Sequence, residues 1–242
     1  YLAGDATTSA SNNVGMGANA LGTNILGDAN VAIGRLALGT MNVASPASTY
    51  NTAIGGDAGY SITTGVNNTI VGGLAGDGMQ TADSCVAIGK SSLSGVATQD
   101  GTVAIGASAL TALTSGAGNV AVGYQSATAI NIGRYNTAIG HQSLLAETQG
   151  DTTTAIGYQA FPNQVSDATN KTSGNTGVGY GVGAELTDGN QHTLMGYLAG
   201  RYNETGDNNT YLGYKAGAGA SGQSNSNNTA VGMHSLNNIT TG

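Results

Sequence analysis

The side chains best suited to metal binding or nucleophilic chemistry are three histidines and one cysteine. They are His141, His192, His234 and Cys85. A metal site or a thiol nucleophile needs such groups at a spacing that brings them together. These are scattered, and no fixed His partner stands near Cys85. The acidic residues Asp77, Asp83, Asp188 and Asp207 match neither a calcium-loop spacing nor a calcium-binding repeat. The spellings Gly177-Val178-Gly179 and Gly181-Val182-Gly183 mimic a phosphate-binding loop, but no helix is expected after them. Six Lys and Arg set against 13 Asp and Glu give a net charge of −7. Such a chain cannot track a phosphate backbone, so nucleic acid is not an expected partner. No enzyme activity, cofactor or metal is expected.

Composition points to a different kind of protein. Gly is 41 of 242 residues, Trp is absent and Phe occurs once, against a usual glycine share of about 7 %. Single Cys85 forms no intrachain disulfide, and no apolar run approaches the ~20 residues of a membrane helix. What remains is placed with strict order. A pentad close to Asn-Thr-Ala-Ile-Gly recurs thirteen times. Its anchor glycines are Gly17, Gly34, Gly55, Gly72, Gly89, Gly106, Gly123, Gly140, Gly157, Gly179, Gly196, Gly213 and Gly232. Nine of the twelve intervals are 17 residues, and the others are 21, 22 and 19. A short fixed period is the mark of a solenoid, whose coils bury apolar surface only by stacking on one another. Residues 1–242 read as one continuous array cut mid-repeat at both ends, a fragment of a longer fibre. Tyr1 falls at position +1 of a projected coil, and Gly242 at a turn.

Counting each coil from its anchor as zero, position −1 is Ile, Val, Met or Leu in every copy and position −3 is Val or Thr. Residues two apart share a strand face. These two are expected to point inward, with Ile33, Ile54, Val71, Ile88, Ile105, Val122, Ile139, Ile156, Val178 and Val231 as the structural core. Position −2, mostly Ala, is then expected to point outward and to offer a close interchain contact. On that reading Ile105→Asp unfolds the coil and Ala104→Asp spares it. Further apolar signals stand at +4 (Leu21, Leu38, Leu93, Leu110, Leu144, Phe161, Leu236) and at +7, and a turn glycine often stands at +10. Two short strands and two turns per coil are expected. The longer intervals place insertions near residues 41–50, 161–174 and 214–227.

Position −4 is Asn in nine coils: Asn13, Asn30, Asn51, Asn68, Asn119, Asn136, Asn175, Asn209 and Asn228. Asn suits turn backbone, and stacked amides can form a ladder. Cys85, Thr102, Thr153 and His192 replace it. Position +1 is Tyr at Tyr124, Tyr158, Tyr180, Tyr197 and Tyr214, a stripe for packing on a neighbouring strand or for surface contact with sugar rings. The sequons beginning at Asn67, Asn170, Asn203, Asn208, Asn227 and Asn238 are mostly by-products of the repeat.

The run Asn136-Thr137-Ala138-Ile139-Gly140-His141-Gln142-Ser143-Leu144 resembles the repeats of trimeric autotransporter adhesin heads (YadA-like). It is still more similar to the arrays of phage tail-fibre proteins. The resemblance covers essentially the whole chain and implies an all-β fold, a left-handed parallel β-roll assembled as a homotrimer. It further implies a fibre shaft or adhesive segment at the virion surface or outside a cell, with a host glycan or receptor as partner. The 17-residue coil departs from the shorter adhesin coil. A bacterial surface adhesin or extracellular filament subunit is the alternative. An ice-binding solenoid is a third, disfavoured because the Thr at −3 in eight coils would be buried beside the −1 residues.

Overall fold

The computed structural model describes residues 3–6, 9–166, 172–222 and 224–240. Tyr1, Gly242 and the sequon asparagine Asn170 lie outside the described residues. The chain forms two compact units, Tyr1–Gly118 and Asn119–Gly242.

In the first unit the strands are β1 (Val14–Met16), β2 (Gly27–Asp28), β3 (Val31–Ile33), β4 (Ala47–Ser48), β5 (Thr52–Ile54), β6 (Thr69–Val71), β7 (Val86–Ile88) and β8 (Val103–Ile105). In the second they are β9 (Val120–Val122), β10 (Thr137–Ile139), β11 (Thr154–Ile156), β12 (Thr176–Val178), β13 (Thr193–Met195), β14 (Thr210–Leu212) and β15 (Thr229–Val231). Each long strand is positions −3 to −1 of one coil. A β-branched residue on either side of a small one favours extended backbone. Within each unit these strands pair in parallel with the strand of the next coil, −3 on −3 and −1 on −1. The fold is all-β, a parallel β-solenoid.

Register survives the long intervals. Thr154 still opposes Thr176 and Thr210 still opposes Thr229, so the extra residues leave the coil as loops. Part of the first insertion forms β4, which pairs with β2.

The anchor glycine ends every three-residue strand with φ between +113° and +143°. A Cβ there would meet the next anchor's backbone: on Gly140 it would come within 2.3 Å of Gly157 O. Anchors stack directly on anchors, and only glycine permits that approach. The chain then turns through left-handed residues at +2 and +4. The buried Leu21, Leu38, Leu93, Leu110, Leu144 and Phe161 at +4 adopt φ of +48° to +54°, a conformation costing about 1–2 kcal/mol for a side chain of this kind.

The expected second strand is not formed among the described residues, apart from the β2–β4 pair. The far side of each coil is held by turn-to-turn hydrogen bonds such as Leu93 N–H to Ala109 O and Leu144 N–H to Ala160 O, both 2.9 Å. Left-handed residues at +2 and +4 break the extended backbone where the chain enters that side.

The expected facing of the strand is reversed. Position −2 is interior: Ala32, Ala53, Ala87, Ala104, Ala121, Ala138 and Ala155 are fully buried. Positions −3 and −1 point out. Among the residues expected as core, Ile54, Ile139 and Val231 are exposed, and Ile33, Val71, Ile88, Ile105, Val122, Ile156 and Val178 are half-buried. The reason is the thinness of the coil. The space between the strand and the +4 turn admits one large side chain per layer, and +4 usually supplies it, so −2 must be small. Where −2 is large the partner shrinks. Ile70 sits with Gly59 and Gly76, Leu194 with Gly183 and Gly200, and Tyr211 with Gly217, whose added Cβ would fall 2.3 Å from the Tyr211 ring. Gly177 makes the opposite accommodation, opening space for Phe161. Position +7 completes the core with Met41, Ile62, Met79, Leu113, Ile130 and Leu186.

Candidate functional site

The edge of each coil is pinned by position −4. Asn Oδ1 accepts the backbone N–H of the −4 residue in the next coil: Asn13 from Asn30 (2.8 Å), Asn30 from Asn51 (3.0 Å), Asn51 from Asn68 (3.0 Å), Asn119 from Asn136 (3.0 Å) and Asn209 from Asn228 (3.0 Å). Its Nδ2 donates across the coil to a turn carbonyl. Asn51 reaches Gly65 O, Asn68 reaches Ala82 O and Asn175 reaches Gly189 O, each at 2.8 Å. Direct amide–amide bonds join only some neighbours, such as Asn136 Nδ2 to Asn119 Oδ1 at 3.2 Å. Each amide therefore satisfies one buried donor and one buried acceptor.

The substitutes for Asn fill the same role less completely. His192 accepts the Asn209 N–H on Nδ1 at 3.2 Å, and its Nε2 is buried without a hydrogen bond. Burial pushes its pKa below the usual 6.5, against the opposing pull of the Gly206 carbonyl, Asp207 and the Asn209 backbone. Cys85 is buried with Sγ 3.6 Å from Gln99 O, and burial raises its pKa, so it stays a thiol. Beside Thr153 the missing amide is supplied by Gln164, which donates to Thr153 Oγ1 at 3.0 Å and accepts from Asn175 Nδ2 at 3.0 Å.

One buried polar group escaped the reading of the sequence. Glu147 is fully buried at +7. Its Oε1 accepts the backbone N–H groups of Thr148, Gln149, Gly150 and Ser166 at 2.7–3.1 Å, and its Oε2 accepts from Gln164 and Ser166 side chains. A carboxylate ringed by donors is stable without a cation. Its signal was a charged residue at an inward register position. It organises the turn and faces no solvent.

Two surfaces are open to partners. The first is the outer sheet face. In the second unit it presents Thr137, Thr154, Thr176, Thr193, Thr210 and Thr229 in one file, with Ile139, Ile156, Val178, Met195, Leu212 and Val231 beside them. The first unit continues the pattern in its own strands, with Val and Thr at −3. Neither file carries a charge.

The second surface is aromatic. Tyr124, Tyr158, Tyr180, Tyr197 and Tyr214 are each about half exposed. Consecutive rings from Tyr158 to Tyr214 stack with centroids 5.0–5.2 Å apart and planes within 11°. His141 occupies the same file between Tyr124 and Tyr158, at 5.3 and 5.1 Å, and His234 closes it edge-on to Tyr214. The centroid spacing follows the spacing of paired strands, roughly 4.8 Å. Ring faces are therefore engaged with ring faces, and edges point outward. A sugar stacked flat on these rings, as the stripe alone suggests, finds no free face between them.

Among the described residues no group of three or more His, Cys, Asp or Glu comes together to hold a metal. The three histidines stay apart as their registers require: His141 in the ring file, His192 in the Asn ladder, His234 at the end of the rings. Among the described residues no helix is long and apolar enough to cross a membrane.

These features define a β-solenoid repeat protein with an uncharged outer sheet face. No protein-family model, curated protein or solved structure matches the chain.

Proposed function

We propose that this chain is a structural segment of a fibre, the shaft or adhesive part of a viral tail fibre. In this reading copies of the chain associate through the outer sheet face as a homotrimer, wound left-handed as the repeat's resemblance implies. Its place is the virion surface or the extracellular space. The observation that carries the proposal is the outward apolar file at −1 with its uncharged neighbours at −3. Solvent-facing sheet surfaces normally alternate with polar residues, and extended uncharged apolar patches mark association surfaces. Each unit adds one strand spacing per coil, which suits a part whose work is reach and stiffness. A bacterial surface adhesin or extracellular filament subunit would use the same face in the same way.

The test is solution mass. Light scattering should give a stable mass near three chains of 23.7 kDa. Paired Ile139→Asp and Ile156→Asp changes should lower that mass while leaving far-UV circular dichroism unchanged, because both side chains point out. A monomeric wild-type chain overturns the proposal.

One observation favours a second reading. The Thr file points outward and not into the core, so the objection to an ice-binding surface falls. Regular hydroxyls beside methyl groups on a parallel sheet can order water. The same face cannot serve both ends. Thermal hysteresis in a monomeric sample would select ice binding, and its absence in a trimer would select the fibre.

A further inference from the structure

We infer that a notch in the turn ridge of the second unit is a binding site for a carboxylate-bearing sugar residue. The inference deepens the adhesive part of the proposed function and rests on that reading. The notch has a simple origin. At positions +5 and +6 the coil of Gly213 carries Ala218-Gly219. The coil before it carries Arg201-Tyr202 and the coil after it Asn237-Asn238. Small residues between two bulky pairs leave a gap one coil deep, about 5 Å per coil step. That depth suits one pyranose ring.

The lining supplies what such a ring needs. Leu198 and Ala218 form a nearly buried apolar floor for the C–H face of the sugar. Arg201 and Lys215 stand at the wall. They are two of only six Lys and Arg in the chain. The ion pairs formed among the described residues are Arg35 with Asp57 and Arg134 with Asp151, so neither notch cation is paired. The guanidinium of Arg201 lies 4.6 Å from the Tyr202 ring centroid, and Lys215 Nζ lies 5.5 Å from that of Tyr214. Aromatic contact orients both cations without neutralising them. Two carboxylates stand on the same turn, Glu185 accepting from Ser221 Oγ at 3.2 Å and Glu204 from Gly222 N–H at 2.9 Å, and neither forms an ion pair with Arg201 or Lys215. Asn237 and Asn238 offer amides to hydroxyl groups across the gap. Two unpaired cations in a chain of net charge −7 select an anion at this place, and the apolar floor selects a ring behind it.

Glucuronate and glucose test this, because they differ only in the carboxylate. Saturation-transfer NMR with wild-type protein should show glucuronate bound at the notch and glucose bound far more weakly. Arg201→Gln and Lys215→Gln should each weaken glucuronate by about tenfold. Gly219→Asn fills the gap, keeps both charges and should abolish binding. Its φ of +70° is one that Asn accepts. Equal binding of glucose, insensitivity to all three variants, or no glucuronate binding overturns the inference. Acetate binding as tightly as glucuronate also overturns it, because that is a simple anion site. Light scattering on the same samples separates the two proposals. The notch variants leave the solution mass unchanged, so loss of sugar binding does not touch the fibre reading. A monomer that binds glucuronate fails only the fibre reading.

Discussion

The exchange of volume between positions −2 and +4 can be tested by moving it to a coil that lacks it. In the coil of Gly72, Ile70 at −2 lies between Gly59 and Gly76, whose added Cβ atoms would come 3.0 and 3.4 Å from its Cδ1. The next coil has Ala87 at −2 and Leu93 at +4, both fully buried, and Gly76 already stands beneath it. Ala87→Ile alone drives a larger side chain into the space of Leu93 and should cost about 2 kcal/mol by overpacking. Leu93→Gly alone empties that space. A buried Leu truncation costs about 2–5 kcal/mol, and relief of the left-handed leucine returns about 1 kcal/mol, leaving about 3 kcal/mol. The double variant recreates the glycine–isoleucine–glycine stack one coil further on. Being close to volume-conserving, it should lie within about 1.5 kcal/mol of wild type. The coupling is then about 3.5 kcal/mol or more, above the usual range of about 0.5–3 kcal/mol for residues in contact. Urea unfolding followed by far-UV circular dichroism measures all four corners of the cycle. Additive single effects, or an Ala87→Ile change that costs less than about 0.5 kcal/mol, would refute the assignment of −2 to the interior.

Two further outcomes are expected. His192 is held neutral by burial, with a native pKa below the usual 6.5, so the unfolded chain binds the proton more readily. Stability is complete above about pH 6.5 and falls as pH drops from there toward the lowered native value. His192→Asn restores the ladder amide and should flatten that dependence in urea midpoints taken at neutral and acid pH; an unchanged slope would show that His192 is not its source. Tyr211 is fully buried with its hydroxyl unpartnered. Tyr211→Phe should therefore be neutral or stabilising by about 1 kcal/mol, read from the same unfolding curves, and a clear loss of stability would mean the hydroxyl is bonded.

Much of this architecture is written in a single repeat. The period, the in-register parallel pairing, the breaks at the three insertions and the common register of Tyr158, Tyr180, Tyr197 and Tyr214 all follow from counting residues. A three-residue strand between a turn Asn and a glycine has few other ways to stack. The alternation of −3, −2 and −1 likewise establishes two faces. It does not say which face is inside, because hydrophobicity alone assigns Ile105 to the core and Ala104 to the surface. Tertiary packing decides otherwise. The coil is too thin for large side chains from both sides, left-handed turns bring the +4 leucine inward, and the strand must then yield its small residue to the interior. The same dependence on neighbours hid Glu147, whose six donors come from 148–150, Gln164 and Ser166. It also hid the notch, which exists only because three successive coils place residues of unequal size at one height. Periodicity is a property of the chain taken one coil at a time, whereas interior volume, unpaired charge and open surface belong to coils already stacked.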